Sequence, residues 1–186
     1  MKSRASIEHS KNFYKEFHET NQALLFGLII ISCGLYIINW IYMNNKDFET
    51  LDKFAPNSNR GAVIMMILPF SWFFIIYILK HIIIGENNLF LEMFEIVGWG
   101  LILTLLIKYL LDFTISFGRI TKTNGLFWFL PFLITIILCS IGVIFKINYL
   151  FLSLIIPVII ILSMQSELNL IFVRFKINKD KNIFYN

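Results

Sequence analysis

Predominantly apolar stretches long enough to cross a bilayer occur at five places in this chain, and that feature limits its fold more than any other. By hydropathy the runs are 23–43, 62–84, 89–111, 126–145 and 149–175. A hydrocarbon core of about 30 Å takes roughly 20 residues at 1.5 Å each. The runs are continuous rather than alternating, so they read as helices, which satisfy their own backbone groups in lipid. Only FKINY, Phe145–Tyr149, divides the last two runs. Read as one helix they would be far too long for a bilayer, so a tight hairpin with Lys146 and Asn148 at the surface is expected.

Composition agrees. The chain has 186 residues, of which 58% are hydrophobic and 15% charged. A soluble domain is about 45–50% apolar and about 25% charged. The expected fold is therefore all-α: a polytopic integral membrane helix bundle of five transmembrane helices. Residues 1–22 form an N-terminal tail, in which Phe13, Tyr14 and Phe17 suit a short interfacial helix. Residues 23–175 form the bundle, and 176–186 a polar, basic C-terminal tail. The first run is too long for the core of a signal peptide and reads as an uncleaved helix.

The net charge of +4 is mild, and the basic residues lie at the ends and in short loops. That placement suits topology and lipid headgroups and argues against nucleic acid. The loops after the first and third runs carry Lys46, Lys53, Arg60, Arg119 and Lys122, and in a five-span chain they share a side with the C-terminus. The positive-inside rule then favours N-out, C-in. Cys33 and Cys139 lie within apolar runs and are expected to stay as free thiols.

The chain also echoes itself. Asp47-Phe48 follows the first run and Asp112-Phe113 the third. NSNRG (57–61) is matched by TKTNG (121–125), and Leu68-Pro69-Phe70 by Leu130-Pro131-Phe132. The offset drifts only from 65 to 62 residues. Two parallel helix hairpins plus a fifth helix would explain it. Pro69, Pro131 and Pro157 each fall in the first half of a run, where packed kinks are expected.

Ionisable groups at membrane depth are functional candidates by default. Glu92 and Glu95 occupy the first turns of the third run, near the positive end of its dipole. Lys108 and Asp112 share a face near its end, where Lys108 is expected to snorkel and pair with Asp112. In the loops, Trp40, Asp47, Arg60 and Arg119 are candidate binding residues. His81 has no ligand-spaced partner, so no metal site is expected. No nucleophile elbow, metalloprotease helix or phosphate-cradling loop is present, so neither an enzyme nor a cofactor is expected.

GLYIINWIY (34–42) followed by NKD (45–47) resembles a family of small bacterial polytopic membrane proteins known only as a domain of unknown function. Gly34, Tyr36, Trp40, Tyr42, Asn45 and Asp47 carry the resemblance, while Asn39 stands where that family has a second tyrosine. The resemblance implies a multi-pass bacterial membrane protein and no particular activity. Ile-, Asn- and Lys-rich usage also suggests bacteria, hence the cell inner membrane. The expected function is binding of other membrane components, as an accessory subunit or an immunity-type protein, with a membrane-protein partner or a homo-oligomer. The alternative is a small transporter or channel using Glu95, Lys108 and Asp112.

Overall fold

The structure, a computed structural model, describes residues 21–32, 35–84, 88–145 and 150–183. The proposed interfacial helix around Phe13 and Phe17, the FKINY turn and Cys33 lie outside them. Six helices make up the fold among the described residues. They are α1 (Gln22–Ile31), α2 (Leu35–Leu51), α3 (58–84), α4 (Leu89–Thr121), α5 (Gly125–Phe145) and α6 (Leu150–Ile183).

The stretch read as one helix over 23–43 is divided between α1 and α2. Asn21 caps α1, its Oδ1 accepting from the Ala23 amide at 2.9 Å. The helix stops at Ser32, whose hydroxyl donates to the Ile29 carbonyl at 3.2 Å and accepts the Tyr36 amide at 2.9 Å. One serine thus serves both the last turn of α1 and the first turn of α2. At its other end α2 does not stop with hydrophobicity at Met43. It continues to Leu51 through polar residues because Asn45 and Phe48 point inward while Lys46 and Thr50 point out. Helical backbone likewise continues in α6 to Ile183, through much of the segment read as a tail.

Helix α3 begins as Ser58–Ala62, passes through a π-helical turn at Val63–Ile67, continues as Leu68–Ile78 and ends in a second π turn at Leu79–Ile84. Pro69 lies in the first turn after the first of these. A proline has no amide to return to the preceding turn, and a wider turn accommodates that loss. In α5 the Pro131 carbonyl accepts the Thr135 hydroxyl at 2.9 Å.

Helices α3 and α4 form an antiparallel pair. Lys80 meets Glu95, the Trp72 ring lies on Gly98, and Gly61 faces Tyr109. The last two contacts are very close. A Cβ at Gly98 would stand 1.9 Å from a Trp72 ring atom, and one at Gly61 2.1 Å from Tyr109. Helix α4 turns into α5 through Lys122, whose φ of 60° is left-handed, and backbone meets backbone at Gly118 and Gly125.

The core joins α1, α2, α4, α5 and α6 around Leu25, Trp40, Phe48, Phe113, Phe117, Trp128, Ile161 and Met164. Aromatic rings cross it in series. Trp40 meets Phe113 edge-on, Phe113 stacks on Phe48 at 5.4 Å, Phe48 touches Phe117, and Phe117 meets Trp128 edge-on. Phe48 and Phe113 are the two phenylalanines of the sequence echo. The echoing loops do not share a role, however: Asn57 caps α3 with Gly61 inside the helix, whereas Asn124 caps α5 with Gly125 as its first residue.

Outside this core the molecule is covered with apolar side chains. Phe70, Phe73, Phe74, Phe90, Ile96, Leu101 and Phe127 are all more than half exposed. Among the described residues, two helices are long and apolar enough to cross a membrane, Ser58–Ile82 and Leu89–Thr121. Only 11% of the residues in each apolar window are buried.

Candidate functional site

The polar residues of the first connector do not form a loose turn. They dock onto α4. Helices α2 and α4 run parallel, since Trp40 meets Phe113, Phe48 meets Phe113 and Phe117, and Asp52 meets Ser116 and Arg119. Asp52, one residue past α2, gathers three donors. The Ser116 hydroxyl donates at 2.8 Å, the Arg119 guanidinium at 3.0 Å and the Phe54 amide at 3.0 Å. Burial alone would raise the Asp52 pKa, but the Phe54 amide, the Ser116 hydroxyl and the Arg119 charge outweigh it. They hold the carboxyl below its ordinary value of 3.8.

About two turns deeper lies a second polar group. Asn45, fully buried, donates from Nδ2 to the Pro56 carbonyl at 2.5 Å and so closes the connector back onto α2. Glu49 accepts the Ser58 amide at the start of α3. The Tyr109 phenol, beside Asn45 and Glu49, is 4% exposed. Among the described residues, neither its hydroxyl nor Asn45 Oδ1 makes a well-formed hydrogen bond. Deeper still, Trp40 Nε1 donates to Gln165 Oε1 at 2.8 Å, and Gln165 Nε2 to Asn169 Oδ1 at 2.9 Å. This chain ties α2 to α6.

Above the seam Phe54 is 66% exposed, with Lys53 Nζ 4.9 Å and the Arg119 guanidinium 5.3 Å from its ring centre. Cations over an aromatic face are attracted by its quadrupole.

Of the residues singled out from sequence, Arg119 joins this cluster through Asp52, and Trp40 lies at its inner end. Asp47 is half-buried on α2. Arg60 is exposed at the rim of an apolar groove of about 330 Å³ shared with Asn59, Val63 and Ile64. Glu95 pairs with Lys80 at 2.5 Å, with both side chains 28% exposed. Glu92 is exposed in the first turn of α4. Lys108 and Asp112 do not form the expected pair: Lys108 is exposed, Asp112 is half-buried, and no ion pair joins them among the described residues. Lysine N-terminal to the acid is the weaker order for such a pair on a helix.

Sequence reasoning missed Asn45 as a buried residue, read Asp52 only as one of the alternating acids of a solvated amphipathic turn, and missed Ser116, Tyr109 and Gln165 altogether. A signal was present for two of them. Asn45, Phe48 and Asp52 recur at helical spacing, so the connector has an inward face. No group of three or more metal-ligating side chains occurs among the described residues. No family model, curated protein or solved structure matches this chain.

Proposed function

We propose that this is a multi-pass bacterial inner-membrane protein that acts by binding other membrane components, without enzymatic activity. The observation that carries the reading is the pair of long helices, α3 and α4, whose most apolar stretches have only 11% of their residues buried. The core helix of a soluble protein has its apolar face buried. Here side chains as large as Phe73, Phe74 and Phe90 need lipid or another protein around them.

In this reading the chain crosses the bilayer five times. The stretch 22–51 supplies one crossing, broken at Ser32, and α3, α4, α5 and α6 supply the others. The polar seam of Asp52, Ser116, Arg119 and Lys122 then lies at the cytoplasmic face, with the N-terminus outside. The resemblance at 34–47 to a family of bacterial membrane proteins points the same way. An accessory or immunity-type role suits a rigid, docked connector that presents Phe54, Lys53 and Arg119 to a partner. Transport through Glu95 has less support, because its charge is already met by Lys80.

Two measurements test the proposal. Carbonate washing of membranes should leave the protein in the pellet, and release into the wash would end the membrane reading. Crosslinking in native membranes, followed by purification in mild detergent, should recover a stoichiometric membrane-protein partner. A clean monomer that moves ions across liposomes, and loses that flux with Glu95→Gln, would favour transport instead.

A further inference from the structure

Two cations of this hairpin lack an acidic partner. Arg60 on α3 and Lys108 on α4 are both exposed, and neither takes part in an ion pair among the described residues. Their positions are related. Gly61 and Tyr109 face each other across the antiparallel α3–α4 pair. In such a pair, the residues one step before two facing residues turn to the same side, because the helices wind oppositely when seen from one end. Arg60 and Lys108 therefore project from one face of the hairpin at the same level.

That level is the edge of the bilayer. Arg60 and Lys80 are separated by about 30 Å of helix at 1.5 Å per residue, which is the thickness of the hydrocarbon core. Lys80 marks the opposite edge; Glu95, only about 20 Å of helix from Lys108, lies inside that edge and is met by the long Lys80 side chain. Three acids of α2, the connector and α4 are engaged elsewhere or set back. Glu49 accepts the Ser58 amide, Asp52 holds Arg119, and Asp112 is half-buried. Below Arg60 the groove continues over Val63 and Ile64, one turn deeper into the apolar span.

We propose that Arg60 and Lys108 bind the phosphate of an anionic phospholipid, with one acyl chain along the Val63–Ile64 groove. Two unpaired positive charges at headgroup depth over an apolar trough match a lipid with a charged head and an apolar tail. The inference rests on α3 and α4 crossing the membrane.

The test uses the purified full chain in mild detergent, titrated with phosphatidylglycerol or phosphatidylcholine and read by native mass spectrometry. Wild type should retain phosphatidylglycerol preferentially. Arg60→Gln and Lys108→Gln should each lower that preference about fivefold, the contribution of one basic residue at an anionic surface. The double variant should lose it, and Lys46→Gln, an exposed lysine on α2, should keep it. Arg60→Lys and Lys108→Arg keep the charge and should keep the preference, which separates lost binding from lost folding. Millimolar inorganic phosphate should not displace the lipid. Equal retention of the two lipids by wild type, an unchanged preference in the double variant, or displacement by phosphate would each overturn the site. So would a crosslink from position 108 to a carboxylate-bearing partner helix. Failure of the membrane reading shows separately, as release by carbonate.

Discussion

Asp52→Ala removes the acceptor that holds the connector on α4. The Ser116 hydroxyl is fully buried and would lose its partner. A buried unmade hydrogen bond costs about 1–3 kcal/mol. The low end applies here, because a helical serine can rotate back onto the carbonyl of the preceding turn. The Arg119 side chain is 49% exposed, so water and salt screen its charge. Its share is below about 1 kcal/mol. The exposed Phe54 amide turns to water at little cost. The total is about 2 kcal/mol, a factor of roughly 30 in the folding equilibrium. Asp52→Asn keeps an acceptor for Ser116 and Phe54 and gives up only the charge, at a cost below about 1 kcal/mol. The pH dependence has a fixed sign. The folded carboxyl titrates below 3.8, so its stabilisation is complete above that value and is lost as pH falls through the lower folded one. Unfolding in mixed micelles with rising dodecyl sulfate, followed by tryptophan fluorescence, measures each variant. Asp52→Ala as stable as wild type at neutral pH would refute the reasoning. So would Asp52→Asn keeping the full acid sensitivity of wild type below about pH 4.

Gly98→Ala should destabilise by about 1–3 kcal/mol because the Trp72 ring fills the Cβ position. Gly100→Ala, two residues on and with nothing within 4 Å of its added carbon, should instead stabilise by up to about 1 kcal/mol. The same micelle titration separates the two. A double-mutant cycle on Trp40→Phe and Gln165→Leu should give a coupling of about 0.6–1.7 kcal/mol, the range for hydrogen bonds between membrane helices. Additive single losses would mean that this bond contributes nothing. Exchanging the charges, Lys80→Glu with Glu95→Lys, should restore the stability that either single change removes, as read by detergent-resistant monodispersity on gel filtration.

Hydropathy located α3 and the start of α4 well, because those stretches are apolar on every face, but it ended α4 at Leu111 where the helix runs on to Thr121. It was blind to where helices break within or outlast apolar sequence. The Ser32 break depends on one hydroxyl serving two helices, which no average over residues can register. Helix α2 outlasts its apolar stretch because only a few residues, Asn45 and Phe48 among them, face α4. The site was partly legible. Arg119 and Trp40 stood out as a charge and an aromatic at a helix end. Their partners did not, since Asp52 looked like one of several solvated acids and Gln165 like an isolated polar residue. Both acquire meaning only when α2, α4 and α6 come together. Glu95 was visible, but its neutralisation depends on the α3–α4 hairpin placing Lys80 beside it.

The length of α4 has a mechanical consequence. Its 33 residues make a rod of about 50 Å, and a bilayer core takes up about 30 Å. In an untilted crossing the excess of about 20 Å, nearly four turns, stands clear of the hydrocarbon. The aromatic series and the Asp52 clasp fasten α2 along this overhang, and Gly118 and Gly125 press α5 against it. In the membrane reading proposed above, the molecule carries a braced stub above the lipid, with Phe54 near its tip. Anything arriving from that compartment, whether a protease, an antibody fragment or a natural partner, would meet the stub before it met the membrane.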